Sequence, residues 1–589
     1  FSYIFAGMKN MYLLILFSMF WINSGASTGQ APWEKYKTNR CVSYKEAVNF
    51  YHELAAKNKN CRVFSYGNTD CGKPLELFVI NGKGKFSPEE IKKDGDLIIL
   101  INNGIHPGEP DGIDASIILT HDLLTGKLKL PEHITIAIIP VYNIDGSLNT
   151  AKFSREGQNG PEEPGFRGNA RNLDLNRDFI KCDSENAKSF TRLYRTWDPD
   201  VFIDTHVSDG ADYQYVMTLI DSQKDKLSPA INKTMSSEVK PMLYDKMKAE
   251  GFEMCPYVNV FGESPDKGMA AFLETPRFAT GYAALYNAFP FVTETHMLKP
   301  YPQRVEATYA FLKTALSTCA TLKTSILAAR KQAKADVIKQ QKFTVEWVLD
   351  TTIVDSISFK GYEAMKKKSE VTGLDRMYFS HEHPYTKMIP FQSTFKSQTE
   401  IEKPIAYIIP QAWKEVIERM QLNKIKMTRL KNDSTITSEI YYIRNYNTGK
   451  NPYEGHYVHS SVKVEKVKQD VHYFAGDYVI ETNQESNRYI IETLEPQATD
   501  AFFNWNFFDG ILQQKEWFSD YIFEDEAAEI LKNDAALKSD FEAKKASDKA
   551  FAGDSWAMLT YIFQHSAWYE KGHLRYPVGR IMGMGQMQK

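Results

Sequence analysis

The chain has 589 residues, 43% of them hydrophobic, and 71 basic against 74 acidic side chains leave a net charge of −3. That length buries a sizeable core and divides into at least two domains, while the near-neutral balance gives no electrostatic case for binding nucleic acid. No internal repeat or low-complexity tract interrupts it.

In chain order, Met8-Lys9-Asn10, the run MYLLILFSMFW at 11–21 and Ser24-Gly25-Ala26 read as the three parts of a secretory signal peptide, occupying residues 1–26. Residues 1–7 precede a possible initiator Met8, and the eleven largely apolar residues at 11–21 fall short of the roughly 20 that a membrane-spanning helix needs. A soluble exported protein, periplasmic or extracellular and without a stable membrane anchor, is therefore expected to begin near Ser27.

Ser43-x-x-Glu46 is a capping box opening an amphipathic helix to about Lys57. Strand-like runs at 62–66, 75–80, 97–102, 134–141, 201–205 and 290–293 alternate with helical stretches. Such alternation predicts an α/β fold with a mixed, largely parallel sheet covered by helices on both faces. A long helical pattern at 301–341 closes this catalytic domain, assigned to 27–341. From 342 to 589 the composition shifts: FTVEWVLDTTIV, ITSEIYYIRNY and HYVHSSVKVEKV alternate with period two, predicting a β-rich accessory region. It carries an inserted helix near 412–422 and ends in an aromatic, acidic and mostly helical segment.

The six cysteines, at 41, 61, 71, 182, 255 and 319, permit disulfides without fixing their connectivity, and free buried thiols are equally compatible. Cys61 and Cys71 flank a predicted hairpin and are the first candidates for a pair; none has zinc-finger spacing.

The chemistry gathers around LIILINNGIHPGEPDGID at 97–114. A buried-type strand ends in Asn102-Asn103-Gly104, and His106 and Glu109 follow across a Pro107-Gly108 turn. A His-x-x-Glu pair can place an imidazole nitrogen and a carboxylate oxygen on one zinc ion. Alone the pair is weak evidence, since 13 His and 74 acidic residues produce such spacings by chance. His206, following the strand-like VFIDT, supplies a third ligand, and His, Glu and His with one open position is the composition of a catalytic zinc site. PFVTETH at 290–296 presents Glu294 at another strand's carboxyl end, suited to take a proton from an activated water. Between them RGNARNLDLNR, 167–177, offers arginines and asparagines suited to a carboxylate and a carbonyl.

With these pieces in place, the sequence resembles the zinc carboxypeptidase family, which includes carboxypeptidases A and B and the regulatory metallocarboxypeptidases. The resemblance rests on HPGE at 106–109, NIDG at 143–146, R-x-N-A-x-x-x-D-L-N-R at 167–177, His206 after a strand and Thr293-Glu294, over roughly residues 44–301. It implies metal ligands His106, Glu109 and His206, one zinc per chain, and Glu294 as general base. It further implies that Arg167 polarises the scissile carbonyl and that Asn176 and Arg177 hold the substrate's terminal carboxylate. The family's mobile tyrosine has Tyr282 and Tyr286 as candidates, with Tyr282 taken as the substrate-binding one.

Other residues have a structural reading. His381-Glu382-His383 reads as a charged surface turn, and His456 and His459, three apart in an alternating strand, point to opposite faces. The rings at 502, 503, 505, 507 and 508 pack the accessory region onto the catalytic domain rather than forming a carbohydrate platform. Asp174 holds the neighbouring arginines in place. The expected activity is an exported zinc-dependent carboxypeptidase acting on peptide or protein substrates with a free C-terminus. A zinc amidase or peptidase acting on cell-wall peptides, and an inactive peptide-binding protein on the same scaffold, are the alternatives.

Overall fold

Residues 30–583 are described by the structure, a computed structural model, so the predicted signal peptide lies outside the described residues. The main sheet takes β1 (Cys61–Asn68), β2 (Pro74–Asn81), β3 (Leu97–Asn102), β4 (Ile134–Ile139), β5 (Val201–Ser208), β6 (Met217–Asp221) and β7 (Met254–Pro256). Two short strands of a smaller sheet follow, β8 (Asn259–Val260) and β9 (Met269–Ala270), before β10 (Phe289–His296) completes the main one. Its spatial order is β1-β2-β4-β3-β5-β10-β6-β7. Four neighbouring pairs are parallel, β4 with β3, β3 with β5, β5 with β10 and β6 with β7, and the rest antiparallel. A mixed α/β sheet with a parallel centre is thus the architecture.

The alternation of side chains along β3 divides its residues between two cores. Ile98 and Leu100 join Phe190, Tyr194 and Trp197 of the helix Glu185–Trp197 on one face. Leu97, Ile99 and Ile101 join the helices Tyr44–Lys57, Asp111–Leu124 and Tyr301–Thr321 on the other. Both faces being covered explains the unbroken apolar run, since every position of β3 is buried. The capping box forms with both of its hydrogen bonds.

The helical stretch after residue 301 is broken at Leu322 into Tyr301–Thr321 and Lys323–Lys339. Strands β6 and β7 were not legible in sequence, being a short run beside β10 and a three-residue edge. All six cysteines are free thiols, which corrects the Cys61–Cys71 pairing: Cys61 is buried in the core and Cys71 is exposed.

Beyond residue 341 the chain forms β11 (Lys342–Leu349), paired with β14 (Phe395–Glu402), and a long hairpin of β12 (Asp355–Lys368) and β13 (Asp375–Gln392). β13 adds to β9 through Phe391 opposite Met269, so the hairpin is stitched to the catalytic part. A further six-stranded sheet holds β15 (Ala406–Ile409), β16 (Thr428–Arg429), β17 (Ser434–Thr448), β18 (His459–Tyr473), β19 (Tyr478–Glu481) and β20 (Gly579–Ile581), with the helix Lys414–Leu422 inserted. Phe502, Phe503, Trp505 and Phe508 are fully buried in the same core as Ile98, Leu100 and Phe190, so the aromatic cluster binds the two regions together. His381 and His383 lie within β13 rather than in a turn, and His381 Nε2 is 2.5 Å from Asp212.

Candidate metal centre

The carboxyl ends of β3, β5 and β10 meet at one cavity of about 260 Å³. After β3, Gly104 adopts φ 65, and a Cβ there would come within 3.0 Å of Ile113, so this reversal suits glycine. The following turn closes with Glu109 N–H donating to His106 O at 2.8 Å. β5 contributes His206, and β10 places Glu294 directly opposite it in parallel register.

His106, Glu109 and His206 are all buried, and one ligand atom from each lies within 4.8 Å of the others. His106 Nδ1 is 3.2 Å from Glu109 Oε1, and His206 Nδ1 is 3.1 Å from Glu109 Oε2. The remote imidazole nitrogens are held by carboxylates, His106 Nε2 by Asp174 and His206 Nε2 by Asp204, each at 2.9 Å. Asp204 in turn accepts from Asn102 Nδ2 at 2.9 Å. Carboxylate-backed imidazoles turning their Nδ1 atoms to a common point form the usual arrangement behind metal-ligating histidines. The contact of buried His106 Nδ1 with Glu109 lacks hydrogen-bond geometry, so that nitrogen is left available as a ligand atom. Two imidazoles and a carboxylate match zinc's donor preference, so the residues fit the ion.

The electrostatics favour a cation at this point. Burial alone would raise the Glu109 carboxyl, but His106, His206 and Arg155 hold it well below the usual carboxylate range. Burial likewise opposes charge on His206, yet Asp204, Glu109 and Glu294 favour its cationic form strongly. Glu294 behaves oppositely: burial pushes its carboxyl up to about 8, with His206 opposing and Glu109, Asp204 and Asp209 adding to the rise. Binding of a divalent cation would lower that value toward the ordinary carboxylate range.

The same cavity is lined by Arg167, Asn176 and Arg177, so with Glu294 four further sequence-derived site residues share one space with the metal cluster. Arg167 is oriented by Asp174, which accepts from its Nε at 3.0 Å and its Nη2 at 2.8 Å. Arg177 lies over the Phe278 ring at 4.5 Å, and Asn176 Oδ1 accepts from the Ala279 N–H at 3.1 Å.

Tyr282 is the exception and is corrected as a substrate-binding residue. It is fully buried in the core, its hydroxyl donates to Asn423 Oδ1 at 2.6 Å, and Tyr286 does the same. Tyr282, on the helix Ala279–Leu285, and Tyr286, just after it, both join the buried core rather than the cavity lining. The tyrosine that does line the cavity is Tyr257, whose hydroxyl burial pushes above its ordinary range. Arg155, with Nη1 3.1 Å from Glu109 Oε1, was also missed, since no motif surrounds it. Asp204 could have been read, because the i, i+2 spacing of a strand puts it on the face of His206.

Comparison with known proteins shows what the chain is similar to. A profile described as zinc carboxypeptidase matches residues 47–251. Carboxypeptidase 2 of Trichophyton tonsurans is 22% identical over 469 residues, covering 77% of this chain and 79% of that one. Carboxypeptidase 2 of Trichophyton rubrum is 21% identical over 471 residues, again 77% and 79%. Among solved structures, a metallo-carboxypeptidase from Pseudomonas aeruginosa aligns with TM-score 0.36 and 17% identity, over 48% of this chain and 70% of that one.

Proposed function

We propose that this chain, a peptidase whose residues 47–251 match the zinc carboxypeptidase profile, acts as an exported zinc enzyme removing single residues from peptide C-termini. The observation that carries this reading is the buried His106, Glu109 and His206 cluster facing a cavity shared with Glu294, Arg167 and Arg177. What zinc supplies when bound there is Lewis acidity, which lowers the pKa of a water and polarises a carbonyl.

The protein's own residues supply the rest. Glu294 takes the proton of the attacking water and returns it to the leaving amine, for which a carboxyl with a raised pKa is suited. Arg167, fixed by two hydrogen bonds that it donates to Asp174 and with Nη1 3.5 Å from Glu109 Oε1, brings its guanidinium to the oxyanion that develops on the scissile carbonyl. Arg177 and Asn176 take the terminal carboxylate, setting the scissile bond one residue from the end. Phe272, Phe278, Ile220 and Val292 exclude water around these groups.

Export rests on the predicted signal peptide together with the finding that, among the described residues, no helix is long and apolar enough to cross a membrane. The test is digestion of free-acid peptides and of cell-wall fragments, with and without a chelator, read by mass spectrometry. Single-residue shortening of peptides that stops on chelation and returns with zinc is expected. Cleavage of the wall fragments alone would replace the carboxypeptidase reading with the amidase one.

A further inference from the structure

The turn joining β17 to β18, residues 449–458, carries the accessory region to the edge of the catalytic cleft. At its tip, the Tyr453 hydroxyl accepts a hydrogen bond from Arg177 Nε at 3.1 Å. Glu454 then accepts from the backbone N–H of Asp174 at 2.7 Å, the residue whose carboxylate backs His106 and Arg167. Glu454 holds φ 51, a left-handed conformation that an L residue with this side chain adopts at a cost. Two adjacent side chains of the accessory region thus bond to the segment that carries the substrate-binding arginines.

Tyr453 reaches Arg177 already fixed. Its ring stacks on buried Trp505 at 6.2 Å, and its N–H donates to His456 O at 2.7 Å. His456 Nε2 is itself 2.7 Å from Asp183. Arg277 lies over the Tyr453 and Trp505 rings, with its charge matched by Asp500 at 2.7 Å. Arg177 is therefore held at three points: Nε on Tyr453, Nη1 on the Asn176 carbonyl at 3.0 Å, and its plane over Phe278. A guanidinium can offer a carboxylate either its Nε edge or its paired Nη edge. With Nε on Tyr453 and one Nη1 hydrogen on the Asn176 carbonyl, Nη2 and the other Nη1 hydrogen are left for the ligand, and rotation of the plane is restricted.

We propose that Tyr453 is a positioning residue for Arg177, so that the accessory region helps set the preference for a free C-terminal carboxylate. This rests on Arg177 being the carboxylate anchor. The phenylalanine variant keeps the ring stack on Trp505 and removes only the acceptor, which makes Tyr453→Phe the informative change.

The experiment compares wild type, Tyr453→Phe, Arg177→Ala and the double variant on one peptide in free-acid and amidated forms. Tyr453→Phe is expected to raise KM for the acid about tenfold, with kcat changed less than about twofold and the amide rate unchanged. The effect should vanish when Arg177 is already alanine. A wild type that discriminates acid from amide while Tyr453→Phe keeps the same KM and ratio overturns this proposal alone. An equal loss on acid and amide marks a merely structural role and overturns it too. A wild type that treats both forms alike removes the anchor reading, and the proposal with it.

Discussion

Asp174 lies 2.9 Å from His106 through one carboxylate oxygen and 2.8 Å from Arg167 Nη2 through the other. One acid thus orients a metal-facing imidazole and the guanidinium beside it. Burial would raise this carboxyl, but His106, Arg167 and Arg177 hold it well below the usual range, so it stays ionised in both roles. Asp174→Asn should weaken zinc affinity by about 10- to 100-fold, as loss of a partner behind a metal-ligating histidine does. Competition with a chromophoric chelator measures this, and an unchanged affinity would mean that His106 needs no such support.

His106→Ala and Glu294→Gln should separate ligand from base. The first removes one of three donors and should leave the purified protein without stoichiometric zinc; the second should retain about one zinc per chain and lose turnover. Metal analysis beside a turnover assay reads both. If Glu294→Gln emptied the site, the two roles would be exchanged.

Asp114 is buried beside Tyr301, whose hydroxyl donates to it, and burial pushes its carboxyl from 3.8 to about 8. Between those values the folded chain keeps a proton that the unfolded chain has released. The stability contributed by this group therefore falls as pH rises from about 4 to about 8. Asp114→Asn stays neutral throughout, so its Tm relative to wild type should climb between pH 5 and pH 8. A Tm difference that stays flat across that window would contradict the assignment.

With all six thiols free, the exposed Cys71 should react with a thiol reagent in the native state. The buried Cys61, Cys182, Cys255 and Cys319 should react only after denaturation, since burial raises their thiol pKa values as well as blocking access. Fewer than six thiols in denaturant without reductant would reinstate a disulfide.

What could be read in the sequence follows from the range of the signals. β3, β4 and β5 are covered on both faces, so burial wrote itself as unbroken apolar runs, and the candidate ligands fall where those runs stop. His106, Glu109, His206 and Glu294 could be placed because strand ends and turn residues are local signals. Tyr282 was misplaced because spacing along a chain does not reveal which face of a short helix meets the core, and its neighbours Tyr194, Tyr286 and Asn423 decide that. Tyr453 and Glu454 had no signal at all: they reach Arg177 and Asp174 across 276 and 280 residues.

The proposed carboxypeptidase activity depends most on Arg177 gripping a terminal carboxylate. A planar guanidinium meets a carboxylate with two charge-assisted hydrogen bonds, which a neutral amide cannot match, and losing such a pairing costs about 2 to 5 kcal/mol. The direct measurement is the initial rate of cleavage of one peptide as free acid and as C-terminal amide, on wild type and on Arg177→Ala at a single pH. Wild type should cleave the acid more than about tenfold faster, and Arg177→Ala should cleave both slowly with little preference. Equal wild-type rates on acid and amide would contradict carboxylate anchoring, and with it the assignment of this cleft to C-terminal hydrolysis.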